Sequence, residues 1–205
     1  MLSSYFYYST LSDFRNSFLE FLLFLDCSLI EAHLQFSGEY GITNPKKKYS
    51  IDELVSILTL ASSHGICRLD TAMSYSGVYS ILSKALFEIS DKSNFRIATK
   101  FTFKGISRDL FIQQLQYSRD TFRSIDIEVV FVHDWDQLTS KDFPIIEEIV
   151  TTFPNLKMGV SIYEPKDLEK IFEITPYISV IQIPLSILNQ SFLPYLRIMR
   201  EKGVE

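Results

Sequence analysis

Apolar runs of strand length alternate with amphipathic segments of helical length along most of this chain. Strands are predicted at residues 66–70, 95–101, 125–133, 156–163 and 178–183. Apolar residues recur at helical spacing in residues 50–65, 79–89, 108–123, 142–153, 164–174 and 191–203. A strand, a helical segment and another strand in succession are the signature of parallel βαβ units. The alternation therefore predicts an α/β fold with a parallel sheet covered by helices.

Individual residues mark several of the helix ends. Ser50 with Glu53 three residues later forms a capping-box pattern, and Gly65 is placed to end the same helix. Pro165 is expected in the first turn of its helix, where the missing N–H has no intrahelical partner to lose. Pro194 is expected to disturb the last helix near its start.

The strand sequences favour a barrel over an open, doubly wound sheet. The runs EVVFV (128–132) and SVIQI (179–183) suit strands that are covered on both faces. No G-x-G-x-x-G follows a predicted strand, so the sequence lacks the dinucleotide fingerprint of the doubly wound fold. We therefore predict a (β/α)8 barrel of the TIM type, incomplete, with about six βα units in this chain.

Composition excludes several classes of function. The chain has 205 residues, of which 46% are hydrophobic and 22% charged, as in an ordinary soluble domain. Its net charge is −5 and its basic cluster is limited to residues 46–48, so we expect no nucleic-acid partner. The two cysteines and three histidines lack metal-ligand spacing, which indicates free thiols, a cytoplasmic location and no metal site.

The first 33 residues differ from the rest of the chain. The segment 18–30 is very apolar, but Glu20 and Asp26 interrupt it, and both are costly inside a bilayer. We therefore expect an amphipathic helix packed on protein and no membrane span. The sequence predicts a helical extension over residues 1–33 and a partial barrel over 34–205.

Polar side chains follow the predicted strands at the points where those strands end. They are Asp70 with Tyr75, Lys100, His133, Ser161 and Gln182. Each of these residues taken alone suits a surface or capping position. The carboxyl ends of parallel barrel strands meet at one rim, however, and this rim holds the active sites of barrel enzymes. The set therefore predicts a common pocket.

The first four of these residue types suit proton delivery to a carbonyl oxygen. A tyrosine is a poor acid at its ordinary pKa near 10, but a neighbouring ammonium favours the phenolate and lowers the pKa of a phenol. On this interpretation Tyr75 is the general acid and Asp70 holds the Lys100 ammonium in place. His133 would orient or polarise the carbonyl as charge develops on its oxygen.

Sequence motifs at these positions resemble those of the aldo-keto reductases. LDTAMSY (69–75), IATK (97–100), VVFVHD (129–134), MGVSIYEP (158–165) and VIQIP (180–184) occur in the order and spacing of that family. EYGITN (39–44) is similar to the start of its bacterial-type members, and the resemblance extends over residues 34–205.

The resemblance implies functions for these residues. Asp70, Tyr75, Lys100 and His133 match the four catalytic positions, and Ser161 and Gln182 match positions that hold the nicotinamide carboxamide. The implied reaction is hydride transfer between NADP or NAD in reduced form and a small-molecule aldehyde or ketone.

The chain departs from the family pattern at the tyrosine loop and at the cofactor site. Where the family has a YGxSE run, this sequence has Ser76 and Tyr79 in place of the glycine and the glutamate. Ile162 stands where many members have an asparagine that contacts the carboxamide.

The resemblance also implies two further strand–helix units beyond residue 205, which carry the basic residues that bind the adenosine phosphates. Without them we expect an open edge at the sixth strand, self-association through that edge and weak cofactor binding. The alternatives to a reductase are an inactive barrel fragment that cannot hold cofactor and an aldolase-type barrel with Lys100 as Schiff-base nucleophile.

Overall fold

The computed structural model describes residues 29–31, 49–75, 77–90, 94–123, 125–173, 176–185 and 188–205. These residues belong to two compact units, one within Ser28–Lys157 and the other including Met158–Glu205. Most of the predicted helical extension, residues 1–33, lies outside the described residues. Its described part, Leu29–Glu31, is a strand.

The first unit alternates strands and helices as the sequence predicts. Its strands are β1 (Leu29–Glu31), β2 (Arg68–Asp70), β3 (Arg96–Phe101) and β4 (Asp126–Val132). Its helices are α1 (Ile51–Ser63), α2 (Val78–Glu88), α3 (Arg108–Phe122) and α4 (Phe143–Thr152). Each strand pairs in parallel with the next one in the chain, from β1 to β4. The parallel α/β arrangement is therefore confirmed in this unit.

The second unit repeats the same pattern on a smaller scale. Strand β5 (Lys157–Ser161) runs into it and pairs in parallel with β6 (Val180–Gln182). Its helices are α5 (Leu168–Glu173) and α6 (Leu196–Glu201). Both begin with a 3-10 turn that contains the expected proline, Pro165 before α5 and Pro194 before α6. Proline lacks a backbone donor, which is why it is tolerated at these starts.

Local capping explains where α1 begins and ends. The Ser50 side chain accepts from the Glu53 N–H, and the Glu53 carboxylate accepts from the Ser50 N–H at 2.9 Å, so both halves of the predicted capping box are present. Gly65 follows the helix with a φ of +77°, a left-handed conformation that favours glycine.

The two faces of β3 have different surroundings. Thr99 and Phe101 lie on the helix-facing side, since Thr99 is hydrogen-bonded to Tyr79 of α2 and Phe101 packs edge-to-face on Phe111 of α3. Side chains alternate along a strand, so Ala98 and Lys100 lie on the opposite face. Both faces are buried, which is the covered sheet that the apolar strand sequences predict.

The outer edge of β6 is partly occupied by the last residue of the chain. The Glu205 N–H donates to the Ser179 carbonyl, and the Ile181 N–H donates to the Glu205 carbonyl, each at 2.9 Å. The open edge expected from the sequence is therefore bonded at these two residues. Self-association through this edge stays a prediction.

No helix within the described ranges is long and apolar enough to cross a membrane. Residues 18–28 of the apolar segment 18–30 lie outside those ranges.

Candidate active site

Strand register brings Asp70 and Lys100 together at the ends of β2 and β3. Asp70 pairs with Ala98, so its side chain shares a sheet face with Ala98 and with Lys100 two residues on. The Lys100 Nζ lies 2.5 Å from both carboxylate oxygens of Asp70. Both side chains are buried, with 7% and 4% of their surfaces exposed. The ion pair therefore lies at the carboxyl ends of β2 and β3, on one face of the sheet.

Burial makes this ion pair an exception to ordinary packing. Removing a charge from water costs several kcal/mol per ion, and only close pairing with further hydrogen bonds offsets that cost. The Lys100 Nζ also lies 5.5 Å from the ring centroid of Phe131, its register partner on β4. A cation held between a carboxylate and an aromatic ring is fixed in position, which a catalytic site requires.

The loop that carries Tyr75 continues along the edge of β3. The Thr71 N–H donates to the Ala98 carbonyl at 2.9 Å, and the Met73 N–H donates to the Lys100 carbonyl at 3.4 Å. The loop then turns, because the Tyr75 N–H donates to the Ala72 carbonyl and the Tyr75 carbonyl accepts from Val78 at the start of α2. The Tyr75 side chain is half-buried. The backbone thus ties the tyrosine loop to the strand end that bears Lys100.

His133 follows β4 at the same end of the sheet. Its N–H donates to the Phe101 carbonyl at 2.8 Å, which extends the β3–β4 ladder by one residue. The His133 side chain is exposed. The structure therefore places Asp70, Tyr75, Lys100 and His133 at the carboxyl ends of three adjacent strands, with a direct side-chain contact between Asp70 and Lys100.

Ser161 and Gln182 lie together in the second unit. They are register partners at the carboxyl ends of β5 and β6, and the Ile162 N–H donates to the Gln182 carbonyl at 2.9 Å. Both side chains are half-buried, whereas Ile162 is fully buried and offers no polar contact. A hydroxyl and an amide side by side match the hydrogen-bonding groups of a carboxamide. This donor set therefore fits the nicotinamide end of the expected cofactor.

A buried hydroxyl cluster near the site was not predicted from the sequence. The Tyr79 hydroxyl is bonded to the Thr99 hydroxyl and lies 3.3 Å from the Ser118 hydroxyl of α3. Burial raises the pKa of Tyr79, although the hydrogen bonds from Ser118 and Thr99 oppose that rise. The sequence signal for this cluster was Tyr79 itself, a tyrosine at the position where the family has a glutamate.

Asp134 was also missed. Its carboxylate accepts from the Phe103 N–H at 2.6 Å and from the Lys104 N–H at 2.8 Å, which joins the segments after β3 and β4. A sequence gives no signal for such a contact, because the donors are backbone groups about thirty residues away.

Two surface grooves in the first unit contain none of the candidate residues. One of about 430 Å³ lies between α2 and α3 and includes Lys84 and Arg123. The other, of about 630 Å³, includes Arg96, Arg119 and Arg123 together with Asp126 and Glu128. Within the described residues, no group of three or more potential ligands could hold a metal ion.

Comparison with known proteins identifies the family. The model of the aldo/keto reductase family matches residues 36–205. No curated protein sequence matches the chain.

Several solved structures are similar in fold. One is a Pseudomonas aeruginosa protein assigned provisionally to the aldo-keto reductases, with 18% identity over 86% of this chain and 70% of that one, at a TM-score of 0.66. Another is the thermostable aldo-keto reductase Tm1743 solved with the inhibitor epalrestat, with 19% identity over 86% and 65% of the two chains and a TM-score of 0.62. A third is an aldo/keto reductase from Klebsiella pneumoniae in complex with NADP and acetate, with 14% identity over 86% and 61% and a TM-score of 0.63.

The present chain thus spans less than two thirds of the length of the last two relatives. At these identities the likeness shows the fold, and it confirms the predicted incomplete (β/α)8 barrel. Together with the family match over residues 36–205, it shows that the chain belongs to the aldo/keto reductase family.

Proposed function

We propose that this chain carries the catalytic part of an NAD(P)H-dependent reductase of aldehydes or ketones. The observation that supports the proposal most directly is the buried Asp70–Lys100 ion pair at the barrel rim, bonded through the backbone to the loop that carries Tyr75. Barrel enzymes hold their active sites at this rim. In the proposed reaction the Lys100 ammonium acts on the Tyr75 phenol, because an ammonium close to a phenol prepares that phenol to act as an acid.

Each of the four side chains has a distinct part in the proposed reaction. Tyr75 donates its hydroxyl proton to the carbonyl oxygen, and the C=O bond becomes an alcohol. Lys100 stabilises the phenolate that remains on Tyr75, and Asp70 keeps the ammonium in place. His133 donates to the same carbonyl oxygen and orients it. A proton from solvent then restores the Tyr75 hydroxyl.

Ser161 and Gln182 are the residues proposed to hold the nicotinamide carboxamide. A bound reduced nicotinamide supplies the hydride that the carbonyl carbon accepts. Fixing the carboxamide would restrain the orientation of the nicotinamide ring, and such orientation contributes much of the rate of a two-reactant step. Both NADP and NAD are compatible with these two contacts, and a relative's structure in complex with NADP and acetate favours testing NADP first.

The Schiff-base alternative for Lys100 is less compatible with the geometry. A Schiff base requires that the substrate carbonyl reach the lysine amine. The Lys100 side chain is instead 7% exposed, and its Nζ contacts both oxygens of Asp70, which leaves a substrate little access to the amine. Borohydride trapping of a carbonyl substrate on Lys100 would support the aldolase-type alternative.

The decisive experiment traces the transfer of the hydride from NADPH to the alcohol product. The protein is incubated with NADPH deuterated at the transferable position and a panel of aldehydes and ketones, and the alcohol products are examined by mass spectrometry. Deuterium on the former carbonyl carbon is the expected result. Quenching of protein fluorescence by NADPH without any alcohol would disprove reductase activity on that panel. The absence of both fluorescence quenching and alcohol product would favour the inactive-fragment alternative.

A further inference from the structure

We propose that Asp134 is a positioning residue that fixes the strand ends bearing Lys100 and His133 relative to each other. This inference rests on the proposed function of those two residues. Asp134 follows His133 directly, and its carboxylate reaches across to the segment that follows β3. The Asp134 carboxylate thus joins the segment that follows Lys100 to the segment that contains His133.

The contact uses both carboxylate oxygens. Oδ1 accepts from the Phe103 N–H at 2.6 Å and Oδ2 from the Lys104 N–H at 2.8 Å. Hydrogen bonds with one ionised partner are shorter and about twice as strong as neutral ones. Two bonds to consecutive amides also restrain direction, because the carboxylate plane must face both donors.

These bonds continue the β3–β4 pairing beyond the last strand residues. The ladder pairs Lys100 with Phe131 and ends with the His133 N–H on the Phe101 carbonyl. The Asp134 carboxylate accepts from two amides farther along the β3 side, those of Phe103 and Lys104. The two segments therefore stay joined as far as the fourth residue past Lys100 and do not separate directly after the sheet.

Both sides of this junction are anchored in the core. Phe103 is fully buried and packs edge-to-face on Phe111 of α3, with 5.9 Å between ring centroids. On the other side, the Asp134 carbonyl accepts from the Gln137 N–H, and Trp135 between them is buried. A displacement of His133 relative to Lys100 must therefore either break the carboxylate bonds or disturb the packing of Phe103.

Asp134→Asn tests this role with little change in shape. An asparagine offers one acceptor oxygen, and its NH2 group would face an N–H donor at the second position. Asp136→Asn removes the same charge from an exposed residue in the same segment and is the matched control.

Amide hydrogen exchange reports on the contact without requiring catalysis. We expect the Phe103 and Lys104 amides of Asp134→Asn to exchange about ten to a hundred times faster than in the parent protein, since hydrogen bonds to charged groups contribute about 1.5–3 kcal/mol. The imidazole resonances of His133 should move in the same variant. Asp136→Asn should change neither.

Steady-state kinetics separate positioning from loop stability. In Asp134→Asn we expect kcat to fall about ten- to a hundredfold with the KM for NADPH unchanged, because small misplacements of reacting groups are costly. If amide exchange becomes faster while the His133 signal and kcat stay unchanged, Asp134 stabilises only its own loop. If the exchange of the Phe103 and Lys104 amides is unchanged, the contact is disproved. If the parent protein reduces no carbonyl, the proposed function fails, and the exchange and His133 signals alone decide the role of Asp134.

Discussion

At Lys100, the cost of burying a charge is opposed by two short contacts to Asp70. Burial of either ion without the other would leave an uncompensated charge in the sheet, and such losses typically cost about 3–5 kcal/mol. The two residues therefore act as one energetic unit, both in folding and in the proposed support of Tyr75.

We predict that the effects of Asp70→Asn and Lys100→Met on the free energy of unfolding are not additive. Each single change leaves the other residue buried without its counter-charge, whereas the double change removes both charges. The double variant should therefore lose less stability than the sum of the two single losses. Urea unfolding of the four proteins measures this coupling. A coupling energy of zero would show that the ion pair contributes nothing beyond the separate side chains.

A second prediction concerns Tyr75, the proposed proton donor. Tyr75→Phe removes one oxygen and leaves the ring and the loop backbone intact. We expect carbonyl reduction to fall about 10²- to 10⁴-fold, the usual contribution of a general acid, while NADPH binding changes little. Turnover and fluorescence titration measure the two effects separately, with Tyr163→Phe, an exposed tyrosine, as control. Parent-like turnover in Tyr75→Phe would exclude this residue from the chemistry.

Among the helices and strands, Tyr79 connects three elements, α2, β3 and α3, each of which is predicted from its own stretch of sequence. Its hydroxyl, on α2, contacts Thr99 of β3 and Ser118 of α3, and all three side chains are buried. Thr99 precedes Lys100, and Tyr79, in the first turn of α2, follows Tyr75 by four residues. The same contact that stabilises the helix layer therefore also restrains the elements from which the candidate site projects.

Tyr79→Phe should destabilise the fold by about 1–3 kcal/mol, because the Thr99 hydroxyl loses its partner in a buried position. The midpoint of urea unfolding measures this loss. Tyr117→Phe is the matched control, since Tyr117 is stacked on Tyr79 with 6.1 Å between centroids but is exposed. Equal unfolding midpoints for the two variants would show that the Tyr79 hydroxyl is not a stabilising contact.

The raised pKa of Tyr79 predicts a dependence of stability on alkaline pH. The unfolded tyrosine ionises near its ordinary value of 10.0, whereas the folded one keeps its proton to higher pH because burial disfavours the phenolate. Its contribution is therefore complete below pH 10 and declines as pH rises through the folded pKa. Urea unfolding between about pH 9 and 11 should show a steeper loss for the parent protein than for Tyr79→Phe. Identical slopes would contradict the raised pKa.

The same elements show what a sequence can and cannot predict. Hydrophobic periodicity and capping residues such as Ser50 act between near neighbours in the chain, so most helix and strand positions could be predicted to within a few residues. The pairing of Asp70 with Lys100 depends on strand register, which the order of motifs implied. The contacts of Tyr79 and Asp134 join residues about twenty to forty positions apart and involve backbone amides or neutral hydroxyls, which no local pattern marks.

For the molecule as a whole, the proposed function requires that the polypeptide of 205 residues bind a nicotinamide dinucleotide. Ser161 and Gln182, which are register partners, are the residues proposed to hold the carboxamide, and the relative solved with NADP and acetate makes this cofactor the natural probe. Ligand that binds only the folded state stabilises it by an amount that depends on its concentration relative to Kd. Thermal unfolding therefore measures cofactor binding independently of any carbonyl substrate.

We predict that NADPH at about a hundred times its Kd adds about 2.7 kcal/mol to the free energy of unfolding. For a chain of this size that corresponds to a rise in Tm of roughly 5–10 °C. Gln182→Ala should reduce the rise at a fixed NADPH concentration, because it removes the amide that is proposed to contact the carboxamide. Gln190→Ala on the loop before α6 should leave the rise unchanged. Comparison of NADPH with NADH at equal concentrations then shows which dinucleotide the protein prefers. A cooperative melt that neither dinucleotide shifts, even at millimolar concentration, would favour the interpretation of this polypeptide as a barrel fragment that does not bind cofactor.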